Sequence, residues 1–117
     1  MTRTAEPKPP NGLQAAGRAL WRAVLSGYEL SESEQALLEL ACGARDDAAA
    51  ARAAIIADGA VIPGRYGPRA HPGIPIARQA EAIVSRILGQ LGTIDRDAAA
   101  YRDPHAPGPK PRGRNSR

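Results

Sequence analysis

The stretch SESEQALLELACGARDDAAAARAAIIADG, Ser31 to Gly59, sets the terms for any fold this chain can adopt. Ser31 stands three residues before Glu34, the spacing of a capping box, in which two free backbone amides are satisfied reciprocally. Glu32 and Glu34 also suit the positive end of a helix dipole. The predicted helix runs to about Ala57, with Gly59 just past it as a stop. Inside it Leu37, Ala44 and Ala51 recur at seven, interleaved with Ala41, Ala48 and Ile55. Most of that seam is small, and small seam residues let two helices approach closely. The face therefore predicts helix packing, either within a subunit or between subunits. Gly43 beside it costs some helix propensity.

Helical patterns flank this segment. Leu13, Leu20 and Val24 fall at helical spacing and are widened by Trp21, Leu25 and Tyr28, which predicts a helix over about 13–26. Arg18 and Arg22 are an i,i+4 pair on one surface of it. Their plainer reading is a solvated polar edge, and the sharper one is a phosphate contact. Ile76, Ala80, Ile83, Ile87 and Leu91, supported by Val84 and Leu88, predict a third helix over about 73–91. Gly92 suits its left-handed cap. Beyond it, TIDRDAAAYRD offers Thr93 or Asp95 to cap a short fourth helix ending before Pro104.

Between the second and third helices the pattern breaks into DGAVIPGRYGPRAHPG. Val61-Ile62 is a β-branched pair, PGRYG is rich in turn formers, and Pro68 and Pro72 push Gly67 and His71 toward extended geometry. The expectation is a small β-hairpin at about 59–72 with its tip near 64–67, with a structureless connector as the plainer alternative. The fold class is thus mainly α, with three to four helices and one hairpin.

The apolar fraction overstates the core. About half of it is alanine, Phe is absent, and the aromatics are Trp21, Tyr28, Tyr66 and Tyr101. At about 25 cal/mol per Å² of buried apolar surface, so thin a core leaves an isolated monomer marginal. Oligomerisation is the natural remedy. The ends, MTRTAEPKPPNG and DPHAPGPKPRGRNSR, cannot bury enough surface to offset their ordering entropy. Both are expected as disordered basic arms, 1–12 and 103–117, around a helical oligomerisation core at 13–102. That core balances ten arginines against ten acidic residues, so the net +4 resides in the arms. Basic arms on a neutral core point to nucleic acid or another polyanion. Against this, only Lys8 and Lys110 are lysines, and an Arg/Ala/Gly/Pro excess is also what GC-rich coding produces.

Little supports catalysis. The histidines are His71, set before Pro72 in a turn where a structural or hydrogen-bonding role outweighs metal binding, and His105, solvated in a Pro-rich arm. With one cysteine, Cys42, no zinc-ligand spacing exists; Cys42 fits a small core residue better than a reactive thiol. Asp46 and Asp47 are adjacent, so on a helix they point about 100° apart and form no carboxylate dyad. No GxxxxGK[ST] loop is present. The expectation is a protein that is not an enzyme and holds no metal or cofactor. No apolar run approaches the roughly 18 residues of a membrane span, and no signal-peptide pattern opens the chain. An intracellular, soluble protein without a membrane partner is expected.

GLQAAGRALWRAVLSGYELSESEQALLELAC, followed by ADG and then GRYGPRAHPGIPIARQAEAIVSRILGQLG, resembles the small terminase subunits of tailed phages and prophages. Gly12-Leu13, Gly17, Leu20 and Trp21 carry the likeness in the first helix. The acidic cap region and Leu37-Leu38 through Cys42 carry it in the second. Asp58-Gly59, Gly64, Gly67, Arg69 and His71-Pro72 carry it around the hairpin, and Leu91-Gly92 at the end of the third helix. The likeness covers roughly 12–97, and its strength lies in the order and spacing of individually weak motifs. The chain departs from the family in Pro63 and Pro75, in lacking a recognisable helix-turn-helix, and in Thr93-Ile94-Asp95 after Gly92.

The resemblance implies a DNA-packaging component of the host cytoplasm without catalytic activity. Such proteins assemble into rings, bind double-stranded viral DNA, and recruit or regulate the large terminase subunit, which carries the ATPase and nuclease. On that reading Arg65, Arg69, Lys110, Arg112 and Arg114 are the candidate phosphate contacts. Arg69 is equally suited to donate hydrogen bonds to the hairpin backbone. Leu37, Ala41, Ala44, Ala48, Ala51 and Ile55 form the oligomer or helix-packing seam, and the hairpin helps to lock neighbours. The alternative is a helical adaptor or regulatory protein that binds only protein partners.

Overall fold

The computed structural model describes residues 6–92 and 110–111. In chain order its elements are α1 (Ala15–Gly27), β1 (Tyr28–Glu29), α2 (Glu32–Asp58), β2 (Val61–Gly64), β3 (Gly67–Ala70), α3 (Gly73–Leu91) and β4 (Lys110–Pro111). The fold is mainly helical, with a hairpin between α2 and α3, as the periodicities predict. The region of the expected fourth helix lies outside the described residues.

The start of α2 is the capping box read from its spacing. Ser31 Oγ accepts from the Glu34 N–H at 3.2 Å, and the Ser31 N–H donates to Glu34 Oε1 at 2.8 Å. At the other end Gly59 sits at φ 89°, a backbone conformation that side chains disfavour, and its N–H returns to the Ile55 carbonyl. Helix α3 ends as expected too, on Gly92 in the left-handed region.

The core is built on α2. One cluster joins Trp21 and Leu25 of α1, Leu38, Ala41 and Cys42 of α2, and Ile87 and Leu91 of α3. A second joins Ala44 and Ala48 of α2 to Ala80 and Val84 of α3, and Leu20, Ile83 and Leu88 pack against both. Within the seam, Ala41, Ala44, Ala48 and Ala51 are buried, while Leu37 and Ile55 are half-buried. Its middle thus meets α3 of the same chain, where methyl groups permit close approach. A bidentate ion pair spans the same two helices outside the core. Arg52 Nε and Nη2 donate to the two Glu81 carboxylate oxygens at 2.8 and 2.6 Å.

Helix α1 crosses α2 at Gly17. A Cβ there would lie 2.7 Å from the Cys42 carbonyl oxygen and 2.6 Å from Asp46 Oδ2. The N-terminus of α1 has no side-chain cap of its own, since Gln14 occupies the cap position without making that bond. Asp46 of α2 replaces it: the Gln14 and Gly17 N–H groups donate to Asp46 Oδ2 and Oδ1, each at 2.7 Å.

Residues 6–12, expected within the N-terminal arm, are placed beside α1. The Trp21 Nε1–H donates to the Pro7 carbonyl at 3.0 Å. A buried indole N–H requires an acceptor, and a proline-rich segment has little conformational freedom to lose in supplying one. Lys110 and Pro111, expected within the C-terminal arm, pair antiparallel with β1, Glu29 opposite Lys110 and Tyr28 opposite Pro111. Among the described residues no helix is long and apolar enough to cross a membrane.

Candidate nucleic-acid interface at the hairpin

The hairpin pairs Val61 with Ala70, Ile62 with Arg69, Pro63 with Pro68 and Gly64 with Gly67. Arg65 and Tyr66 form its tip. Neither has positive φ; that conformation falls to Gly67, at φ 119°. The glycine thus absorbs a backbone twist that the two tip residues, both with a Cβ, do not adopt.

The hairpin buries neither face deeply against its own chain. All four residues of β3 are exposed, and β2 alternates between exposed and half-buried. An isolated two-stranded hairpin is marginal in water, so its base must be held. His71 holds it. Its N–H donates to the Ala60 carbonyl at 2.8 Å, closing the last rung. Its imidazole is buried, with Nδ1 accepting from the Gly73 N–H at 2.8 Å and Nε2 lying 2.9 Å from Asp58 Oδ2. Since Gly73 can only donate, the neutral ring carries its proton on Nε2 and donates it to Asp58. One side chain thereby ties together the C-terminus of α2, the hairpin and the first turn of α3. Gly73 leaves room for it, because a Cβ there would sit 3.0 Å from Nδ1.

Both hairpin arginines are exposed, and neither forms an ion pair with a carboxylate among the described residues. The Arg65 guanidinium carbon lies 5.6 Å from the centroid of the Tyr66 ring, and Tyr66 is 93% exposed. A cation beside an exposed aromatic ring offers a charge for phosphate and a flat face for stacking. The Arg69 stem covers Gly64, where a Cβ would meet Arg69 Cδ at 2.8 Å. Packing the stem against the strand leaves the charged head free, the usual division of labour in a long cationic side chain.

The hairpin gathers Arg65 and Arg69 into one projection. Lys110 is placed through its backbone in β4, opposite Glu29, while Arg112 and Arg114 lie outside the described residues. Among the described residues no group of three metal-ligating side chains comes together. The Asp46 cap of α1 went unpredicted, whereas the turn position of His71 already favoured a structural, hydrogen-bonding role, which it fills as a strap between Asp58 and Gly73. The first had a signal in Gln14, since a helix start without a capping side chain needs an acceptor from elsewhere. No family model, curated protein or solved structure matches the chain.

Proposed function

We propose that the chain is a small terminase-type packaging protein that binds double-stranded DNA and assembles with copies of itself. On this reading it recruits or regulates a large terminase subunit and is itself not an enzyme. The observation that carries the reading is the hairpin. It projects two exposed arginines and a tyrosine, neither of its faces is deeply buried in its own chain, and it is braced at the base by His71. The position of a hairpin between the two longest helices also agrees with the arrangement on which the family resemblance rests.

The chemistry is phosphate neutralisation with aromatic support. Each Arg–phosphate contact releases condensed counterions, so binding weakens with salt in proportion to the number of contacts. In an assembly of several copies, weak contacts repeated on each subunit combine through avidity. Gel-shift titration of duplex DNA across salt tests this. Steep salt dependence that becomes shallower in R65Q/R69Q supports it, and absence of binding at low salt refutes it. Light scattering tests the assembly, which a stable monomer at micromolar concentration would exclude.

A second reading has its own observation. Ile56, Val61 and Ile76, near or within the hairpin, are exposed apolar residues, as an adaptor that binds only protein would require. Under that reading DNA is not bound at any salt concentration, while V61D abolishes partner capture.

A further inference from the structure

A second cationic surface lies on α1, away from the hairpin. Residues 6–13 and the outer side of α1 border an open groove of about 690 Å³. Lys8, Arg18 and Arg22 line it, with Glu6 as the acidic residue in its wall. The surplus of positive charge is local, because the folded core as a whole is balanced.

The groove is organised in advance of any ligand. Pro7, Pro9 and Pro10 form one wall, and the Trp21 Nε1–H fixes it through the Pro7 carbonyl. Leu13, buried in the core, anchors the end of this wall. The Arg18 guanidinium donates to the Leu13 carbonyl. That bond orients the fork and leaves its other N–H donors for an acceptor. Lys8 and Arg22 are exposed, and neither is paired with a carboxylate among the described residues. A rigid wall and an oriented guanidinium lower the ordering cost of binding. Guanidinium geometry matches phosphate oxygens in particular. The groove is open on its outer side, so a phosphate can enter it while still part of a polymer.

We infer that this groove is a phosphate-binding site that takes the nucleic-acid backbone, as a contact surface separate from the hairpin. Gly17 meets α2 at Asp46, and the hairpin begins beyond Asp58. At 1.5 Å per residue those points are about 18 Å apart along α2, so one side chain cannot serve both surfaces. The identity of the polyanion rests on the DNA-binding reading above; the phosphate chemistry of the groove does not.

The experiment uses the full chain and the variants K8Q/R22Q and R65Q/R69Q. Lys8 and Arg22 are exposed, so the first variant should melt like the parent. Fluorescence anisotropy with a short labelled duplex is read across salt, with hydrogen-exchange mass spectrometry on the complex. The expected result is that K8Q/R22Q lowers the slope of log K against log salt by about two units. DNA should also protect peptides from 11–26 in the parent and leave them unprotected in the variant. If the parent binds DNA and K8Q/R22Q keeps both slope and protection, the groove inference is overturned while the DNA-binding reading stands. If the parent binds no DNA, that reading falls, and inorganic tripolyphosphate judges the groove alone. A rise in melting temperature that is lost in K8Q/R22Q upholds the phosphate site; no rise overturns it.

Discussion

At the residue scale, the side chain with the largest reach is Asp46. Its two oxygens accept the free N–H groups of Gln14 and Gly17, placing negative charge where the α1 dipole is positive. An acidic residue in mid-helix thus caps another helix. Replacing a cap costs about 1 kcal/mol, and bonds to a charged acceptor cost more. Asp46→Ala is therefore expected to lower stability by about 2 kcal/mol, read as a shifted urea midpoint with unchanged slope. Next to it, burial pushes the Cys42 thiol up to about 12, with the Asp46 carboxylate adding to the shift. The thiol stays protonated at neutral pH and is fully enclosed. Ellman's reagent should leave it unlabelled in the folded chain and label it fully in denaturant; rapid native labelling would contradict the packing of α1 on α2.

At the scale of elements, the contact between α2 and α3 depends on small side chains. Ala48 is 2% exposed and meets Ala80 and Val84. Ala48→Glu would bury an unpaired carboxylate in a space sized for a methyl group, at a cost of about 3 kcal/mol or more. A variant that melts like the parent would disprove the close packing. The Arg52–Glu81 pair joins the same helices from outside. The hydrogen bond from Arg52 holds the Glu81 carboxyl below its ordinary value of 4.5. A carboxyl lowered in the folded state stabilises the chain above that value, and its contribution fades as pH falls through the native pKa. Both side chains are about half exposed, so solvent screens the pair and the effect is small. Thermal melts of Glu81→Gln should fall slightly below the parent at neutral pH and converge with it well below pH 4.5.

At the scale of the whole molecule, charge is partitioned between a neutral core and cationic ends. If the ends act together with the hairpin on DNA, deleting 103–117 removes Lys110, Arg112, Arg114 and Arg117 along with Asp103. The salt dependence of DNA binding should then become more gradual, by about three to four units if every cation contacts phosphate. An unchanged slope would show that the C-terminal arm makes no phosphate contact.

Much of the helical architecture was legible in the residue order because local signals and burial agree there. Ser31 and Glu34 mark the start of α2, Gly59 and Gly92 mark two helix ends, and the stripe from Ile76 to Leu91 marks α3. The hairpin was legible from Gly67, Pro68 and Pro72, whose backbone restrictions need no tertiary partner. The candidate site was legible only as a set of residue types: Arg65 next to Tyr66 at a turn and Arg69 beyond it, without any indication that the Arg69 stem would lie over Gly64.

What the sequence by itself determined is the three helices and the hairpin, with their approximate boundaries, since capping, periodicity and backbone restriction act within a few residues; the pairing of β1 with β4 had no such local signal. The tertiary structure alone decided which groups meet across long separations. It assigned the middle of the alanine seam to α3 of the same chain, made Asp46 the cap of a helix 29 to 32 residues away, and set His71 against Asp58. It also laid the proline segment beside α1. Those pairings depend on the angle and depth at which helices pack, which emerge only when the whole core is assembled.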